Sequence, residues 1–355
     1  MHFFISGEKK KIIKVATRIT DYCETCSDLS QRNDTASQQA LSAHRLYAHE
    51  QREHYKRRIS ESRKPDSKVL HLTMDFAENV YLPYQHRQAS QRFFLTGLKF
   101  DLFGISNDSF PAQVIYGLTE GHWPNEKTAN TVCSMLNHFL HTPAFVHGNK
   151  AAPLIMRLTA DNCTGQNKNR WIIWYLSFLT IIGRFDEIDL SFLVSGHTKN
   201  MCDARFALVK RSMRSKEALI PAHMHDIISC SSLVLTGVKA SEVGWYNWKS
   251  FLEGFFCGTI KNINSYHFFK FKAAQPGVVF CSTSCDAPEQ TVIRHQLLKN
   301  EPDILMKLRA EQSNIPLYQF VDFTAARRAY VEKELLERYF SQDNVNHLRA
   351  SFLHA

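Results

Sequence analysis

The sequence predicts an α/β protein in which a mixed five-stranded β-sheet carries helices on its faces. Three strand-like segments with short connections lie between residues 69 and 118, an arrangement typical of an antiparallel meander. Helical and strand-like patterns then alternate from residue 126 to residue 214. Because the strands come first and helices and strands alternate afterwards, the pattern favours one mixed sheet with flanking helices.

Each predicted strand is a run of β-branched, aromatic and leucine residues that a turn signal ends. Residues 107–111, which include Asn, Asp and Pro, form the turn before the third strand. A polar turn with Gly165 follows the fourth strand, and Gly196 follows the fifth. The predicted strands are 69–76, 92–105, 113–118, 154–160 and 188–194.

The predicted helices are marked by caps, by helical periodicity or by a helix-ending residue. Asp34 is a cap for the first helix, Pro143 stops the second and Gly183 ends the third. The helices of this part of the chain are 35–63, 126–141, 167–182 and 199–214.

Three parts are predicted along the chain. Residues 1–66 form a small N-terminal helical segment with cysteines and histidines, and the stretch 61–67 reads as a linker. Residues 67–217 form the sheet domain. Residues 218–355 form an α+β extension, with helices at 245–256 and 325–340 and a hairpin of 267–273 and 278–282.

The composition of the 355-residue chain is that of a globular protein, with 44% hydrophobic residues. Its net charge of +9 favours acidic partners such as nucleic acid. The sequence shows neither a secretory signal nor an apolar run long enough to span a bilayer, so its nine cysteines indicate reduced thiols rather than a disulfide framework. We therefore expect a soluble nuclear or cytoplasmic protein without a membrane partner.

Three aspartates are predicted to converge at one edge of a sheet with this strand order. Asp75 and Asp161 end the first and fourth predicted strands, which lie side by side at the centre of the sheet, and Asp203 begins the helix after the fifth. Carboxylates that converge repel each other unless cations lie between them. Their hard oxygens suit two Mg²⁺ or Mn²⁺ ions, which can clamp the attacking and leaving oxygens of a phosphoryl transfer. The predicted site is thus catalytic and metal-binding.

Alternatives stay open for these acids. Each could be an ordinary turn or helix-capping residue, and Asp161 before Asn162 fits a cap. Other candidates for the third acid are Glu78, Glu217, Asp186 and Asp189. His197, in a Gly-His-Thr turn, could orient a phosphate or assist proton transfer as a catalytic residue, or it could simply bond to backbone.

A second metal site is predicted near the N-terminus. The pair Cys23 and Cys26, followed by His44 and His49, approaches the spacing of a small Zn²⁺ site, in which two thiolates on a tight turn and two imidazoles on a helix complete a tetrahedron. The alternative is an exposed, His-rich helix beside two thiols that bind no metal.

Basic residues near the acids are candidate nucleic-acid contacts, because Lys and Arg neutralise phosphate. The alternative is a solvated basic helix face. The residues are Lys168, Arg170, Lys199, Lys210, Arg211 and Arg214.

Three blocks of the sequence resemble segments of transposon-derived eukaryotic proteins with an uncharacterised, integrase-like domain of the ribonuclease-H type. The blocks are 72–80, 160–170 and 192–203, and Cys23–Cys26 resembles an upstream Cys-x2-Cys segment of those proteins. The resemblance covers roughly residues 20–300. The order of predicted strands and helices is also that of the ribonuclease-H-like fold.

The resemblance implies descent from a cut-and-paste transposase with an Asp-Asp-Asp/Glu triad, carried here by Asp75, Asp161 and Asp203. Such transposases have a separate DNA-binding domain, and the sequence shows none, so we expect a truncated or host-adopted copy. The leading hypothesis is metal-dependent DNA cleavage and strand transfer on transposon ends or non-specific DNA, by a homo-oligomer. The alternatives are a non-catalytic nucleic-acid-binding protein and a ribonuclease or exonuclease on the same fold.

Overall fold

A computed structural model describes residues 22–88, 90–146, 152–320, 323–336 and 341–346. The chain forms two compact units, Met1–Leu46 and Tyr47–Ala355. Residues 1–21 of the predicted N-terminal segment and 337–340 of the last predicted helix lie outside the described ranges. The predicted division at residues 66 and 217 stays a prediction. In the described ranges, every helix is too short or too polar to cross a membrane.

The protein is a mixed α/β structure built on one ten-stranded mixed sheet with flanking helices. The predicted strands are all present, and most bounds shift by one or two residues. The second predicted strand begins at Leu98 and not at residue 92, because Ser90–Phe94 form a 3₁₀ helix. The strands are β1 (Val69–Phe76), β2 (Val80–Leu82), β3 (Leu98–Asn107), β4 (Ala112–Thr119), β5 (Ile155–Ala160), β6 (Glu187–Phe192), β7 (Leu235–Lys239), β8 (Phe268–Lys272), β9 (Val278–Ser282) and β10 (Ile293–Gln296).

The helices also follow the prediction where it was made, and the last one continues as a π-helical turn over Val331–Leu336. The helices are α1 (Glu24–Ser30), α2 (Thr35–Ser62), α3 (Ala129–His141), α4 (Pro143–Val146), α5 (Arg170–Ile181), α6 (Met201–Met213), α7 (Pro221–Ser231), α8 (Trp248–Glu253), α9 (Ile304–Ala310) and α10 (Ala325–Tyr330).

The strand order is β10-β9-β8-β6-β5-β1-β3-β4-β7, with β2 paired to β3. Strands β1, β5 and β6 are parallel, and β3 and β4 continue from β1 as an antiparallel meander. The predicted neighbours at the centre are therefore confirmed. The sheet has more strands than the five predicted. Strand β7 pairs with β4, and the predicted hairpin β8–β9 joins the sheet because β8 pairs with β6.

Side chains alternate between the two faces of the central strands. On β1, Leu70, Leu72 and Met74 enter the larger hydrophobic core, together with buried residues of α3, α5 and α8. The intervening β1 residues His71, Thr73 and Asp75 lie on the opposite face, toward α6. Each acid at a strand end is thus carried on the face that is not filled by the larger core.

A buried polar network fixes this second face. The Asp108 carboxylate accepts hydrogen bonds from Thr73 Oγ1 at 2.5 Å and from Ser106 Oγ, and it lies 3.0 Å from His71 Nδ1. Arg205 of α6 donates to Ser106 Oγ and lies 4.0 Å from Asp108. Because all of these groups are buried, the network ties β1, the β3–β4 turn and α6 together.

Candidate functional site

Asp75 and Asp161 lie at the same edge of the sheet, on neighbouring parallel strands. Met74 pairs with Ala160 in the β1–β5 register, so the next residues along the chain are Asp75 and Asp161. Adjacent strands are about 4.8 Å apart. Both side chains are half-buried. The two acids are brought together by the register of the backbone ladder, as predicted.

Asp203 reaches the same region from α6. Asn200 caps this helix, and its Oδ1 accepts hydrogen bonds from the backbone N–H of Cys202 at 2.8 Å and of Asp203 at 3.2 Å. In return, Asp203 Oδ2 accepts from the Asn200 N–H at 2.9 Å, which completes a capping box. The Nδ2 of Asn200 also donates to Asp75 Oδ2 at 3.4 Å. The side-chain amide of Asn200 therefore links Asp75 to the start of α6, where Asp203 lies.

The alternative that these acids are helix-capping residues is wrong for Asp161 and correct for Asp203. The cap of α5 is Asn169, which accepts from Trp171 N and Ile172 N, so Asp161 is not its helix cap. Asp161 Oδ1 instead accepts from Cys163 N at 3.3 Å and Asn167 Nδ2 at 2.5 Å, inside the turn. Among the described residues, Asp161 Oδ2 accepts no hydrogen bond. Asp203, in contrast, does serve in a capping box.

The charges of Asp161 and Asp203 act on the carboxyl of Asp75. Burial, followed by repulsion from Asp161 and then from Asp203, raises the pKa of the Asp75 carboxyl to about 7, and the Asn200 amide opposes this shift. A divalent cation between the carboxylates would offset both the burial and the repulsion. Carboxylate oxygens are hard ligands, so the residues present fit Mg²⁺ or Mn²⁺.

The spacing of the acids limits how they could share ions. A set of oxygens that surrounds one ion closely would have all its atoms within 4.8 Å of one another. In the described part of the chain, the carboxylates of Asp75, Asp161 and Asp203 do not form such a set. The three carboxylates are thus further apart than the ligands of a single, fully enclosed metal ion. Asp203 is the exposed member of the three, so the site is open to solvent on the α6 side.

The other candidates for a third acid have other partners. Glu78 pairs with Lys210 at 3.3 Å, and Glu217 accepts from His86 N at 3.2 Å. Asp189 is held by Arg58 at 2.8 Å. Asp186 precedes β6 and so lies at the opposite edge of the sheet. Asp203, in contrast, is one of the two acids whose repulsion raises the pKa of Asp75 most.

His197 lies in the loop after β6. Its backbone N–H donates to Val194 O at 2.8 Å, and its carbonyl accepts from Arg52 Nη2 at 3.2 Å. A catalytic role for His197 stays a prediction.

The predicted basic contacts divide into two groups. Lys168 is buried, donates to Asn264 O at 2.9 Å and has its pKa lowered to about 8 by burial. The loop after Asp161 folds this side chain inward, which does not favour the predicted contact of Lys168 with nucleic acid. The other five residues are exposed, although Lys210 pairs with Glu78, and Arg170 lies over the ring of Trp171. The five are Arg170, Lys199, Lys210, Arg211 and Arg214.

The predicted zinc ligands are partly brought together. Cys23, Cys26 and His44 have ligand atoms that all lie within 4.8 Å of one another. His49 follows His44 by five residues on α2, and at about 100° per residue its side chain leaves the helix about 140° away. The four predicted ligands thus reduce to three in the first compact unit.

Asn200 is a residue of the candidate site that the sequence analysis did not identify. It is buried and links Asp75 to Asp203. Its signal was present in the sequence, since Asn200 precedes Asp203 by three positions at the start of a helix, which is the spacing of a capping box.

Comparison with known proteins gives one family match. A family model described as "Domain of unknown function (DUF7869)" matches residues 96–286, which is more than half of the chain. The matched range contains Asp161 and Asp203 and begins after Asp75. No curated protein and no solved structure matches the chain.

Proposed function

This chain belongs to the family of the domain of unknown function DUF7869, and from the geometry of its own residues we propose that it is a metal-dependent nuclease of the polynucleotidyl-transferase type. The observation that carries the proposal is the convergence of Asp75 and Asp161 at one sheet edge, with Asp203 close enough to raise the pKa of Asp75. Perturbed carboxyl groups of this kind concentrate at functional sites.

The topology supports the proposal. The five central strands run in the order β4-β3-β1-β5-β6, with β3 antiparallel to the others around it. This is the order expected of a ribonuclease-H-like sheet, in which acids on the first and fourth strands meet. The resemblance of residues 72–80, 160–170 and 192–203 to transposon-derived proteins supports DNA as the substrate and a transposase as the ancestor.

Each acid has a distinct role in the proposed reaction. Asp75 and Asp161 hold the metal ions, and the free Oδ2 of Asp161 is suited to bind one of them. Asp203 completes the coordination of one ion, held in place by its capping box. Two Mg²⁺ or Mn²⁺ ions, when bound, would activate water or a 3′-hydroxyl and stabilise the leaving oxygen.

The exposed basic residues of α6 support a nucleic-acid substrate. Arg211 and Arg214 lie at the end of the helix that carries Asp203, and Lys199 lies just before it. Lys199 lies near the acids. Arg211 and Arg214 lie about 12–16 Å beyond Asp203 along the helix axis, a span that a phosphate backbone crossing the site can cover. In the proposed function the protein acts on DNA in the nucleus or cytoplasm as a homo-oligomer.

A non-catalytic nucleic-acid-binding function is the second candidate. It is favoured by the hydrogen bonds that already engage Asp203 and by the spacing of the three carboxylates, which exceeds that of a closed cage. In this case DNA binding depends on salt and on the basic residues, and it is unchanged when Asp75 is replaced.

Cleavage by the purified full chain tests the proposal. We expect Mn²⁺ or Mg²⁺ to support nicking of labelled duplex DNA, and Asp161→Asn to reduce the rate by more than about 100-fold, because a metal ligand is lost. The matched control is Asp186→Asn, which changes an exposed acid at the other edge of the sheet. Parallel reactions on an RNA–DNA hybrid separate DNA cleavage from ribonuclease activity.

Two outcomes would contradict the assignment. One is equal cleavage by the wild type and the folded Asp161→Asn variant. The other is cation-independent DNA binding without cleavage of either substrate, which would leave the binding function as the better account.

A further inference from the structure

The first compact unit, Met1–Leu46, has an unusual core. Within the described residues 22–46, the buried cluster consists of Cys23, Cys26 and Leu41, with Leu29 packed against it. Two of the three buried residues are thiols, and both are reduced. Apolar area on this scale is too small to order a folded unit, and small units of this kind are usually held by disulfides or a metal.

The sulfur and nitrogen atoms of this cluster converge. Cys23 Sγ lies 3.2 Å from His44 Nε2, and Cys26 Sγ lies within 4.8 Å of both. In a tetrahedral site with Zn–S bonds of about 2.3 Å and Zn–N bonds of about 2.0 Å, neighbouring ligand atoms are roughly 3.5 Å apart. The observed spacing therefore accommodates a zinc ion with small side-chain adjustments.

The local backbone places one N–H donor against the first of the two sulfurs. Cys23 is the N-cap of α1, and its Sγ accepts a hydrogen bond from the Cys26 backbone N–H at 3.4 Å. An N–H donor directed at a sulfur stabilises its negative charge, which the metal-bound form requires. The turn between the cysteines thus holds both sulfurs on one side of the start of α1.

We propose that Cys23, Cys26 and His44 bind a zinc ion that ties α1 to α2. Two thiolates and an imidazole are soft and borderline ligands, which suit Zn²⁺ and discriminate against the Mg²⁺ or Mn²⁺ expected at the carboxylates. Three protein ligands leave one tetrahedral position for water or a further donor. The ion supplies the stability that Leu29 and Leu41, the leucines of the described cluster, cannot supply.

The proposed zinc ligands differ from the set predicted from sequence spacing in that His49 is not among them. On α2 a ligand must leave the helix on the side that faces the Cys23–Cys26 turn, and His44 does so. The side chain of His49 points about 140° away around the helix axis. Separate replacement of His44 and of His49 therefore distinguishes this zinc site from a His-rich surface helix that binds no metal at a defined position.

The test is metal content and spectroscopy of the full chain. We expect about one zinc per chain by elemental analysis, retained by His49→Gln and lost by at least about tenfold in His44→Gln. Substitution by Co²⁺ should give a thiolate charge-transfer band and visible bands of tetrahedral intensity in the wild type and in His49→Gln. Alkylation of Cys23 and Cys26, mapped by mass spectrometry, should rise when a chelator is added to the wild type, which needs no variant to fold.

Three results would overturn the proposal. They are a wild-type chain that takes up neither Zn²⁺ nor Co²⁺, equal loss of zinc in the two histidine variants, and alkylation of the two cysteines that does not respond to the chelator. Asp161→Asn should retain the zinc, so failure of the carboxylate proposal leaves this one standing and the reverse also holds.

Discussion

The side-chain amide of Asn200 donates a hydrogen bond of 3.4 Å to Asp75, while the backbone N–H of the same residue donates to Asp203. These two bonds connect the end of a central strand to the start of α6. The position of the third acid relative to the first therefore depends on a residue that carries no charge itself.

We predict that Asn200→Ala lowers the affinity for Mn²⁺ by about tenfold, as loss of a residue that orients metal ligands does. The loss of the helix cap should also lower the free energy of unfolding by about 1 kcal/mol. Titration calorimetry and urea unfolding measure the two effects. The control is Asn247→Ala, which removes the cap of α8, where Asn247 accepts from Ser250 N at 3.1 Å. An equal loss of affinity in both variants would reduce Asn200 to a purely structural residue.

The carboxyl of Asp75 predicts an unusual dependence of stability on pH. Its pKa is raised from 3.8 to about 7 in the folded protein, so the folded state holds a proton that the unfolded state has released. Without divalent cations, the contribution of Asp75 to the free energy of unfolding should fall as the pH rises from about 4 to about 7, by an amount of order 2–4 kcal/mol.

Asp75→Asn isolates this contribution. The variant should match the wild type near pH 4 and exceed its stability at pH 8 in a chelator, as measured by urea unfolding. Addition of Mg²⁺ should then stabilise the wild type more than the variant, because only the wild type regains a paired carboxylate. A wild-type chain that gains stability from pH 4 to pH 8 relative to the variant contradicts the electrostatic account of the site.

The basic residues beside α6 should determine how DNA affinity depends on salt. Replacing Lys199, Arg211 and Arg214 by Gln should weaken binding and reduce the slope of log affinity against log salt by about 0.9 for each lost phosphate contact. Fluorescence anisotropy at several salt concentrations measures the slope. Lys307→Gln on α9 serves as the control for net charge, and a slope that changes equally there would indicate non-specific attraction alone.

The buried network on the second face should account for much of the stability near the site. Asp108→Ala would leave Arg205 buried without its acid and Thr73 and His71 without their acceptor. We expect a loss of about 3–5 kcal/mol in the free energy of unfolding. Asp66→Ala, at an exposed position before β1, should change it by less than about 0.5 kcal/mol. A small loss for Asp108→Ala would mean that water replaces the carboxylate.

Local patterns were sufficient to predict the centre of the fold. The run before Asp75 and the run before Asp161 each combine strand propensity with an abrupt polar end, so both strands and both acids could be located. Their adjacency followed from the order of segments. Asp203 was located by the same topology, and its charge acts on Asp75.

The edges of the sheet could not be predicted in the same way. Strand β7 is short, contains Gly237 and alternates weakly, and its pairing with β4 joins segments over 100 residues apart. The hairpin β8–β9 was visible locally, but its attachment to β6 is a long-range contact with no local signal. The burial of Lys168 depends on how the loop after Asp161 folds over Asn264, which residue type alone would not predict.

Two kinds of anchorage hold the three acids. The interval between Asp75 and Asp161 is set by a ladder of backbone hydrogen bonds between parallel strands, and a slip of one residue would send one of the two side chains to the opposite face. Asp203 is attached through the end of a helix, where a cap and a few side-chain contacts set its distance. In the proposed function, substitutions in α6 would therefore change the metal preference or the rate, whereas the spacing of Asp75 and Asp161 follows the backbone pairing and is less sensitive to side-chain replacement.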